Sequence, residues 1–324
     1  MNKLRIVFMG TPEFAVASLG ALLMNGYNVA GVVTAPDRPA GRGKLITKSA
    51  VKKFAEFSKL PILQPDNLKD PGFLKDLNDL NADIFVVVAF RLLPEVVWKM
   101  PPKGTINLHA SLLPHYRGAA PINHVLINGE DVTGITTFII DDKIDTGLIL
   151  LRQEVKILPF ENAGDLHNRL MKLGARLLIN TLKGISENSL TPQPQSLFLK
   201  PGETLKTAPK IFPGLCFINW HNEALKINNL IRGLAPDPCA RFQMRKADKI
   251  ITFKVFESTY ETSTHSLEPG SVFSDGKNIL KIACKDGFLH ILKLQAEGKK
   301  RMSTQDFLRG FKINEWTVEV IQEA

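Results

Sequence analysis

The alternation of apolar and polar positions divides the chain into two parts with different periodicities. In the first 189 residues, short apolar runs of strand length alternate with longer segments whose apolar positions repeat at helical spacing. Strands that alternate with helices are typical of a parallel sheet wound by crossover helices. The strands predicted in this part are Leu4–Met9, Val29–Thr34, Ile84–Phe90, Thr105–His109, Ile135–Ile140 and Leu148–Val155.

The pattern changes after residues 190–208, a segment without periodicity that is rich in Pro, Gln, Ser and Thr. One helix is predicted over Trp220–Leu234, with Asn219 as its cap. Several short alternating segments follow, and their spacing is typical of a small antiparallel barrel. We therefore predict a Rossmann-like α/β domain with a mostly parallel sheet over residues 1–189, a linker, and a small OB-like antiparallel β-barrel over residues 209–324.

Composition and charge bound the class of protein. The 324 residues are 44% hydrophobic and 23% charged, which is ordinary for a globular chain long enough for two domains. Lys and Arg number 41 against 32 Asp and Glu, and this excess favours a polyanionic partner without requiring one.

Several classes of protein are disfavoured by what the sequence lacks. No apolar run approaches the length that spans a membrane, and the N-terminus has no signal-peptide pattern, so a cytoplasmic protein is expected. The three cysteines form neither a disulfide framework nor a metal-ligand pattern. The first glycine turn is neither a G-x-G-x-x-G nor a Walker A motif, so no dinucleotide or nucleoside triphosphate is indicated.

Two polar side chains with catalytic chemistry interrupt the apolar pattern of the strand Thr105–His109. Asn107 and His109 are two residues apart, so on a strand their side chains point to the same face. A carboxamide is a fixed donor, and an imidazole can donate, accept or carry a proton near neutral pH. The pair suits charge that develops on a carbonyl oxygen, although either residue alone is more often a structural polar group.

A third candidate lies in the acidic loop between the strands Ile135–Ile140 and Leu148–Val155. Among its three carboxylates we favour Asp145, because Thr146-Gly147 predicts a tight turn directly after it. The same loop can be a hairpin turn without catalytic function. Its spacing does not match an EF-hand loop, and no metal site is predicted.

Two further regions are rich in basic residues. From Arg38 to Lys53 there are six basic residues and no acidic ones, a composition that suits phosphates or a solvated surface loop. From Lys206 to Ala324 there are 18 Lys and Arg against 13 Asp and Glu. An open barrel with a basic face is a common way to hold RNA, and a scaffold with scattered charge is the alternative.

Three strings of residues resemble the folate-dependent formyltransferase family. The strings are Asn107-x-His109, Ser111-Leu-Leu-Pro-x-x-Arg-Gly-Ala-Ala-Pro121 and Asp145-Thr-Gly147. The opening Phe8–Ala15, the basic loop from Arg38 and the element Ile231–Pro236 are similar to those family members that act on aminoacyl-tRNA. The similarity runs nearly end to end, and the second string is highly specific.

The resemblance implies a reaction and assigns roles to particular residues. The amino group of methionine, esterified to initiator tRNA, attacks the formyl carbon of 10-formyltetrahydrofolate, and formyl-methionyl-tRNA and tetrahydrofolate leave. The catalytic residues of the family map onto Asn107, His109 and Asp145. Its folate contacts map onto Ser111, Leu112, Leu113 and Pro114, with Phe90 and Leu92 at the pterin. Its substrate contacts map onto Gly10, Phe14, Arg38, Arg42 and Lys44.

Two alternatives stay open at this point. The first is another folate-dependent formyltransferase, or a formyl-folate hydrolase, with a different acceptor; the basic domain and the Arg38 loop favour tRNA over it. The second is an RNA-binding protein on an inactive scaffold, which the intact catalytic strings disfavour.

Lys143, Leu148 and Asp237 depart from the family pattern. The resemblance implies no metal or redox cofactor, and a monomer is expected.

Overall fold

A seven-stranded sheet organises the first part of the chain. In the computed structural model, residues 4–40 and 45–319 are described, apart from the side chains of Ala40 and Leu45. The strands of this part are β1 (Arg5–Gly10), β2 (Asn28–Val33), β3 (Arg38–Ala40), β4 (Leu45–Thr47), β5 (Ile62–Leu63), β6 (Ile84–Val88), β7 (Thr105–His109), β8 (Val132–Ile139) and β9 (Ile149–Lys156). The sheet order is β5-β2-β1-β6-β7-β8-β9, while β3 and β4 form a separate antiparallel pair.

The sheet is parallel from β5 to β7, and β8 and β9 join it as antiparallel strands. All five residues of β6 are buried, as expected for a continuous apolar run that is covered on both faces. The predicted Rossmann-like class with a mostly parallel sheet is therefore confirmed. The carboxyl ends of the parallel strands β1, β6 and β7 lie at the same edge of the sheet. Ligands of open α/β sheets bind at this edge.

The helices are short except for one. They are α1 (Glu13–Met24), α2 (Ala50–Phe57), α3 (Pro71–Asp79), α4 (Glu95–Trp98), α5 (Pro121–Ile127), α6 (Ala163–Ser186), α7 (Ala224–Leu234) and α8 (Thr304–Leu308). None of the helices in the described part of the chain is long and apolar enough to cross a membrane.

The second part of the chain forms a nearly closed antiparallel barrel, as predicted. Its strands are β10 (Ala240–Lys246), β11 (Lys249–Thr262), β12 (Val272–Ser274), β13 (Leu280–Cys284), β14 (Gly287–Ala296), β15 (Met302–Ser303) and β16 (Thr317–Glu319). Their order is β12-β13-β14-β11-β10-β16, with β15 paired to β14. The edge strand β12 lies beside the turn Ile313–Glu315 that leads into β16, which brings the two edges together. Trp220, Phe242 and Phe253 are fully buried in the core.

The predicted start of the helix after the linker is wrong. The helix begins at Ala224, and Trp220 lies before it in the barrel core. Asn219 does not cap the helix; its side chain accepts the N–H of His221 in a local turn. The carboxylate of Asp286 instead accepts the Ala224 N–H at 2.7 Å. Since this partner is 62 residues away, the local sequence could not indicate it.

The two compact units of the fold are discontinuous in sequence. The first consists of residues up to 118, 132–156 and 167–207, and the second of residues 119–131, 157–166 and those from 208 onward. Helix α5 therefore packs with the barrel unit, where the side chain of Asn123 donates to the carbonyl of Gly233. The predicted functional division, with catalysis in 1–189 and tRNA binding in 209–324, stays a prediction.

Candidate active site

Asn107 and His109 lie at the end of β7, where the sheet changes from parallel to antiparallel pairing. Asn107 is in register with Val87 of β6 and Phe138 of β8, and His109 is in register with Thr136. Asn107 is half-buried and His109 is 7% exposed. Because one residue separates them on the strand, their side chains point to the same face.

Asp145 lies beside His109, as the catalytic assignment requires. Its Oδ2 atom is 3.7 Å from His109 Nδ1 and accepts the backbone N–H of Gly118 at 2.9 Å. The other ring nitrogen, Nε2, lies 2.8 Å from the carbonyl oxygen of Tyr116. Since a carbonyl oxygen can only accept, Nε2 carries a proton. Nδ1 faces the Asp145 carboxylate at a distance longer than a direct hydrogen bond.

The turn that carries Asp145 is tightly constrained. Asp145 has a φ of +55°, in the left-handed region that few non-glycine residues adopt. A Cβ atom at Gly147 would lie 1.6 Å from the carbonyl oxygen of Ile139, so the turn approaches β8 more closely than any other residue permits. The tight turn inferred from Thr146-Gly147 is therefore observed.

The loop after β7 is held by hydroxyl groups. The Thr136 hydroxyl donates to the Ser111 carbonyl at 2.7 Å and accepts the Leu113 N–H at 3.2 Å. The Ser111 hydroxyl donates to the carbonyl of His115 at 2.7 Å. These bonds fix the loop backbone against β8 directly after the catalytic candidates.

The four predicted folate contacts in this loop differ in how far their side chains are buried. Ser111, Leu113 and Pro114 are buried, and Leu113 packs in a small apolar cluster with Phe138 and Ile149. Leu112 is half-buried. The side chain of Leu113 thus has a core role, and its predicted contact with folate stays a prediction.

A cavity of about 1030 Å³ opens where β6 ends. It is lined by residues 66–69 and 91–96 and by Lys99. Leu92, a predicted pterin contact, lines it and is 75% exposed, while Phe90 is half-buried just before it. The three catalytic candidates are not among the residues that line this cavity.

Two guanidinium groups lie within electrostatic range of each other near this cavity. Arg91 donates to the carbonyl oxygens of Pro65 and Asp66. Burial lowers the pKa of Arg91, and the positive charge of Arg38 lowers it further. Arg38 is exposed on β3, in register with Thr47. Two neighbouring cations repel each other, so an anion bound between them would be stabilised.

The hairpin formed by β3 and β4 is anchored at its base. The Asp37 carboxylate accepts from Lys52 Nζ at 2.5 Å and from Gln64 Nε2 at 2.9 Å. These bonds, the one from Lys52 first, hold the pKa of Asp37 below its usual value. The predicted substrate contacts Arg42 and Lys44 lie outside the described residues.

Gly10 and Phe14 are both buried at the first turn of the sheet. A Cβ atom at Gly10 would lie 2.6 Å from the Cβ of Ala15 and 2.9 Å from the carbonyl oxygen of Val88, so packing requires glycine there. The ring of Phe14 contacts the imidazole of His167 edge to face at 5.2 Å. Both residues have packing roles in addition to their predicted contact with substrate.

Gln195 is a site residue that the sequence interpretation missed, because it lies in the segment predicted to be a linker. It is 5% exposed. Its Nε2 donates to the carbonyl oxygens of Asp145 at 2.8 Å and Gly147 at 2.9 Å. Its Oε1 accepts from Arg117 at 2.6 and 3.1 Å. Residues 190–208 have no periodicity or motif that could have marked this position.

Other reactive side chains do not form a second site. Within residues 4–40 and 45–319, no three His, Cys, Asp or Glu side chains are grouped so as to hold a metal ion. Burial raises the pKa of Cys239 to about 11 and that of Cys284 to about 12. Burial also raises the pKa of Cys216. These thiols are therefore protonated and unreactive at neutral pH.

Comparisons with known proteins identify relatives for both parts of the chain. The family description "Formyl transferase" matches residues 4–182, and "Formyl transferase, C-terminal domain" matches residues 210–312. The chain is 50% identical over 315 residues to a methionyl-tRNA formyltransferase of Flavobacterium johnsoniae, covering 97% of this chain and 98% of the relative. It is 49% identical over 315 residues to one of Bacteroides fragilis, covering 97% of each.

A solved structure shares the fold at lower identity. It is the N-formyltransferase of Helicobacter canadensis in complex with folinic acid and dTDP-3-aminofucose. The two chains are 20% identical, the TM-score is 0.65, and the match covers 92% of this chain and 100% of that one. At this identity the likeness concerns the fold alone.

Proposed function

We propose that this chain, which belongs to the formyl transferase family, transfers the formyl group of a formyl-folate to the amino group of methionyl-initiator tRNA. One observation carries this conclusion: the 50% identity to a methionyl-tRNA formyltransferase extends over 97% of the chain. It therefore includes both the sheet and the barrel, which the two family descriptions match separately. The formyl donor in this proposal is 10-formyltetrahydrofolate.

The proposed chemistry begins with stabilisation of an oxyanion. The amine attacks the formyl carbon, and the former carbonyl oxygen becomes negatively charged in a tetrahedral intermediate. The carboxamide of Asn107 supplies one donor for that charge, and a proton on His109 Nδ1, the ring nitrogen that is not bonded to Tyr116, supplies a second. A donor placed in this way is typically worth about 10²–10³ in rate.

Two proton movements complete the reaction. The attacking nitrogen loses a proton, and N10 of the folate gains one as its bond to the formyl carbon breaks. Asp145 Oδ2 and His109 Nδ1 are 3.7 Å apart, which is longer than a direct hydrogen bond. A water or the substrate amine that bridges them can pass the proton, and such acid–base help contributes about 10²–10⁴ in rate. No electron is transferred, so the balance requires no redox cofactor.

The proposed contacts with tRNA use positive charge on both units. Arg38 is exposed on the hairpin, near Arg91, and the sequence continues the basic stretch through Arg42 and Lys44. The 18 Lys and Arg against 13 Asp and Glu from Lys206 onward add a second positive region. Cations of this kind bind phosphates in a salt-dependent way.

The direct test combines the purified chain with 10-formyltetrahydrofolate and charged initiator tRNA. We expect formyl-methionyl-tRNA, identified by mass after release of the amino acid. Parallel reactions offer charged elongator tRNA, a dTDP-linked amino sugar, or water alone as the acceptor. Formylation of the sugar, or hydrolysis of the folate without product on tRNA, would contradict the proposed acceptor.

The proposal includes the physical state of the enzyme. We propose that the chain acts as a monomer in the cytoplasm and without a metal ion, since Asn107 and His109 supply the donors that a Lewis acid would otherwise provide. Light scattering of the active enzyme should give the mass of one chain. Formylation should persist in excess chelator, and its loss there with recovery on adding a divalent cation would refute the metal-free mechanism.

A further inference from the structure

We propose that Gln195 is a positioning residue that fixes the Asp145 carboxylate relative to the His109 imidazole. The inference rests on the proposed function, because it concerns the geometry of that same site. Gln195 belongs to a segment that the sequence predicts as a linker, and it lies outside the three strings that resemble the family.

The carboxamide of Gln195 has every hydrogen-bonding position filled. Its Nε2 donates to the carbonyl oxygens of Asp145 and Gly147, which flank the turn on either side of Thr146. Its Oε1 accepts two N–H groups from the guanidinium of Arg117. A flipped amide would place its oxygen against two carbonyl oxygens and its NH₂ against a cation. The orientation is therefore unambiguous, and the side chain is locked.

These bonds close a ring around the catalytic carboxylate. Arg117 precedes Gly118, whose N–H donates to Asp145 Oδ2 at 2.9 Å. The backbone of Asp145 is thus tied to residue 117 through Gln195, and its side chain is tied to residue 118 directly. The same Oδ2 atom is the one 3.7 Å from His109. Without the hydrogen bonds from Gln195, the Asp145 carboxylate is held only by the Gly118 N–H, and the turn that carries it can move.

The segment that carries Gln195 is itself rigidly held. Gln193 and Ile149 exchange two backbone hydrogen bonds of 2.8 Å, so the segment extends the edge of β9. The ring of Phe198, one turn beyond Gln195, packs under the guanidinium of Arg152 at 4.4 Å. Burial also lowers the pKa of Arg152. The carboxamide of Gln195 therefore acts from a fixed support.

The first experiment compares Gln195→Ala with Gln193→Ala in single-turnover formylation. Gln193 is the matched control, because it lies in the same segment with an exposed side chain and is held through its backbone. We expect Gln195→Ala to lower the rate by about 10- to 100-fold, as a misplaced catalytic group does, with little change in KM for folate or tRNA. Gln193→Ala should stay within twofold of the wild-type rate.

The second experiment asks whether Gln195 acts through Asp145. In an Asp145→Asn background, Gln195→Ala should lower the rate by less than about twofold, since the carboxylate it positions is already absent. A purely structural role predicts the same fold-loss in both backgrounds, and that result would overturn the inference. A wild-type rate for Gln195→Ala would overturn it as well.

A second substitution covers the case in which Gln195→Ala does not fold. Gln195→Glu keeps the side-chain volume and the bond to Arg117 but sets an oxygen against the two turn carbonyls. It should show the same loss of rate with unchanged KM, and a wild-type rate would reject the inference. If the wild-type chain and Gln193→Ala form no formyl-methionyl-tRNA, the proposed function fails; if both are active and the Gln195 variants equal them, only the inference fails.

Discussion

The imidazole of His109 is surrounded by acceptors on both of its nitrogens. Tyr116 offers a carbonyl oxygen to Nε2, and Asp145 offers a carboxylate near Nδ1. The ring is bonded through one nitrogen and faces the carboxylate through the other, so the proposed roles of His109 and Asp145 involve different atoms. Single substitutions therefore separate the contribution of the ring from that of the carboxylate.

His109→Ala should lower kcat by about 10²–10³ and leave KM for the folate nearly unchanged, because the lost donor acts on the transition state. Steady-state formylation with both substrates varied gives the two constants. The matched control is His124→Ala, which removes an imidazole whose Nε2 bonds the carbonyl oxygen of Pro209. A kcat within twofold of wild type for His109→Ala would refute the assigned role.

Asp145→Asn should lower kcat by about 10²–10⁴ while the melting temperature stays within a few degrees. Asparagine keeps an oxygen that can accept the Gly118 N–H, so the turn is retained and only the charge and basicity are lost. Formylation rate and thermal unfolding are measured on the same preparation. Normal turnover in a folded variant would exclude the proton transfer proposed for this carboxylate.

Residues differ in how far the sequence alone revealed them. Asn107 and His109 share a strand, so the two-residue repeat was enough to predict a common face. Asp145 was distinguished by the Thr146-Gly147 turn, and the structure brings it to His109, although its role stays a prediction. Gln195 and Asp286 bond to partners 48 to 78 residues away, and no local pattern encodes such a pairing.

At the scale of elements, the turn between β8 and β9 depends on the absence of a side chain at Gly147. Its φ is not in the left-handed region, so the demand is steric and comes from the carbonyl of Ile139. The elements themselves were well predicted where the apolar runs were continuous, as for β6. Helix α7 was predicted too long because its apolar pattern continues back to Trp220, which belongs to the barrel core.

Gly147→Ala should destabilise the protein by about 1–3 kcal/mol or more and abolish most activity, because the added methyl group has no space beside β8. Urea unfolding and formylation are the measurements. Gly310→Ala is the control, since a Cβ atom there would have no neighbour within 4 Å. An active Gly147→Ala variant of normal stability would show that the turn can move away from Ile139.

The hairpin of β3 and β4 is expected to bind phosphate through Arg38. Arg38→Ala should weaken tRNA binding and reduce the slope of log affinity against log salt by about 1, while kcat at saturating tRNA is unchanged. Lys75→Ala is the control, because Lys75 is an exposed cation paired with Asp79 on α3. Equal affinities and slopes for wild type and Arg38→Ala would remove Arg38 from the tRNA contact.

At the scale of the whole molecule, the two compact units do not correspond to two continuous stretches of chain. Helix α5 belongs to the barrel unit, where Ile127 packs against the barrel core and Asn123 bonds to Gly233. The fold class of each part was predictable from periodicity, because strand and helix repeats are local. The assignment of residues 119–131 and 157–166 to the barrel unit was not predictable, because it depends on packing between residues far apart in sequence.

A fragment that ends at Thr207 should therefore expose apolar surface on α5. Burial of one large aliphatic side chain contributes about 1.5–3 kcal/mol, so a melting temperature at least about 5 °C below that of the full chain is expected. Dye binding and calorimetry measure the effect. Ile127→Gln in the fragment is the control and should reduce dye binding. A fragment as stable as the full chain would show that α5 does not need the barrel.

The position of Gln195 has a consequence for the order of events on the ribosome. The chain is synthesised from its N-terminus, and Asp145 is made 50 residues before the carboxamide that holds its turn. A nascent chain that ends just after β9 contains Asp145 but does not yet contain Gln195, which holds the Asp145 turn. The Asp145 turn is therefore braced only after all seven strands of the central sheet have been synthesised.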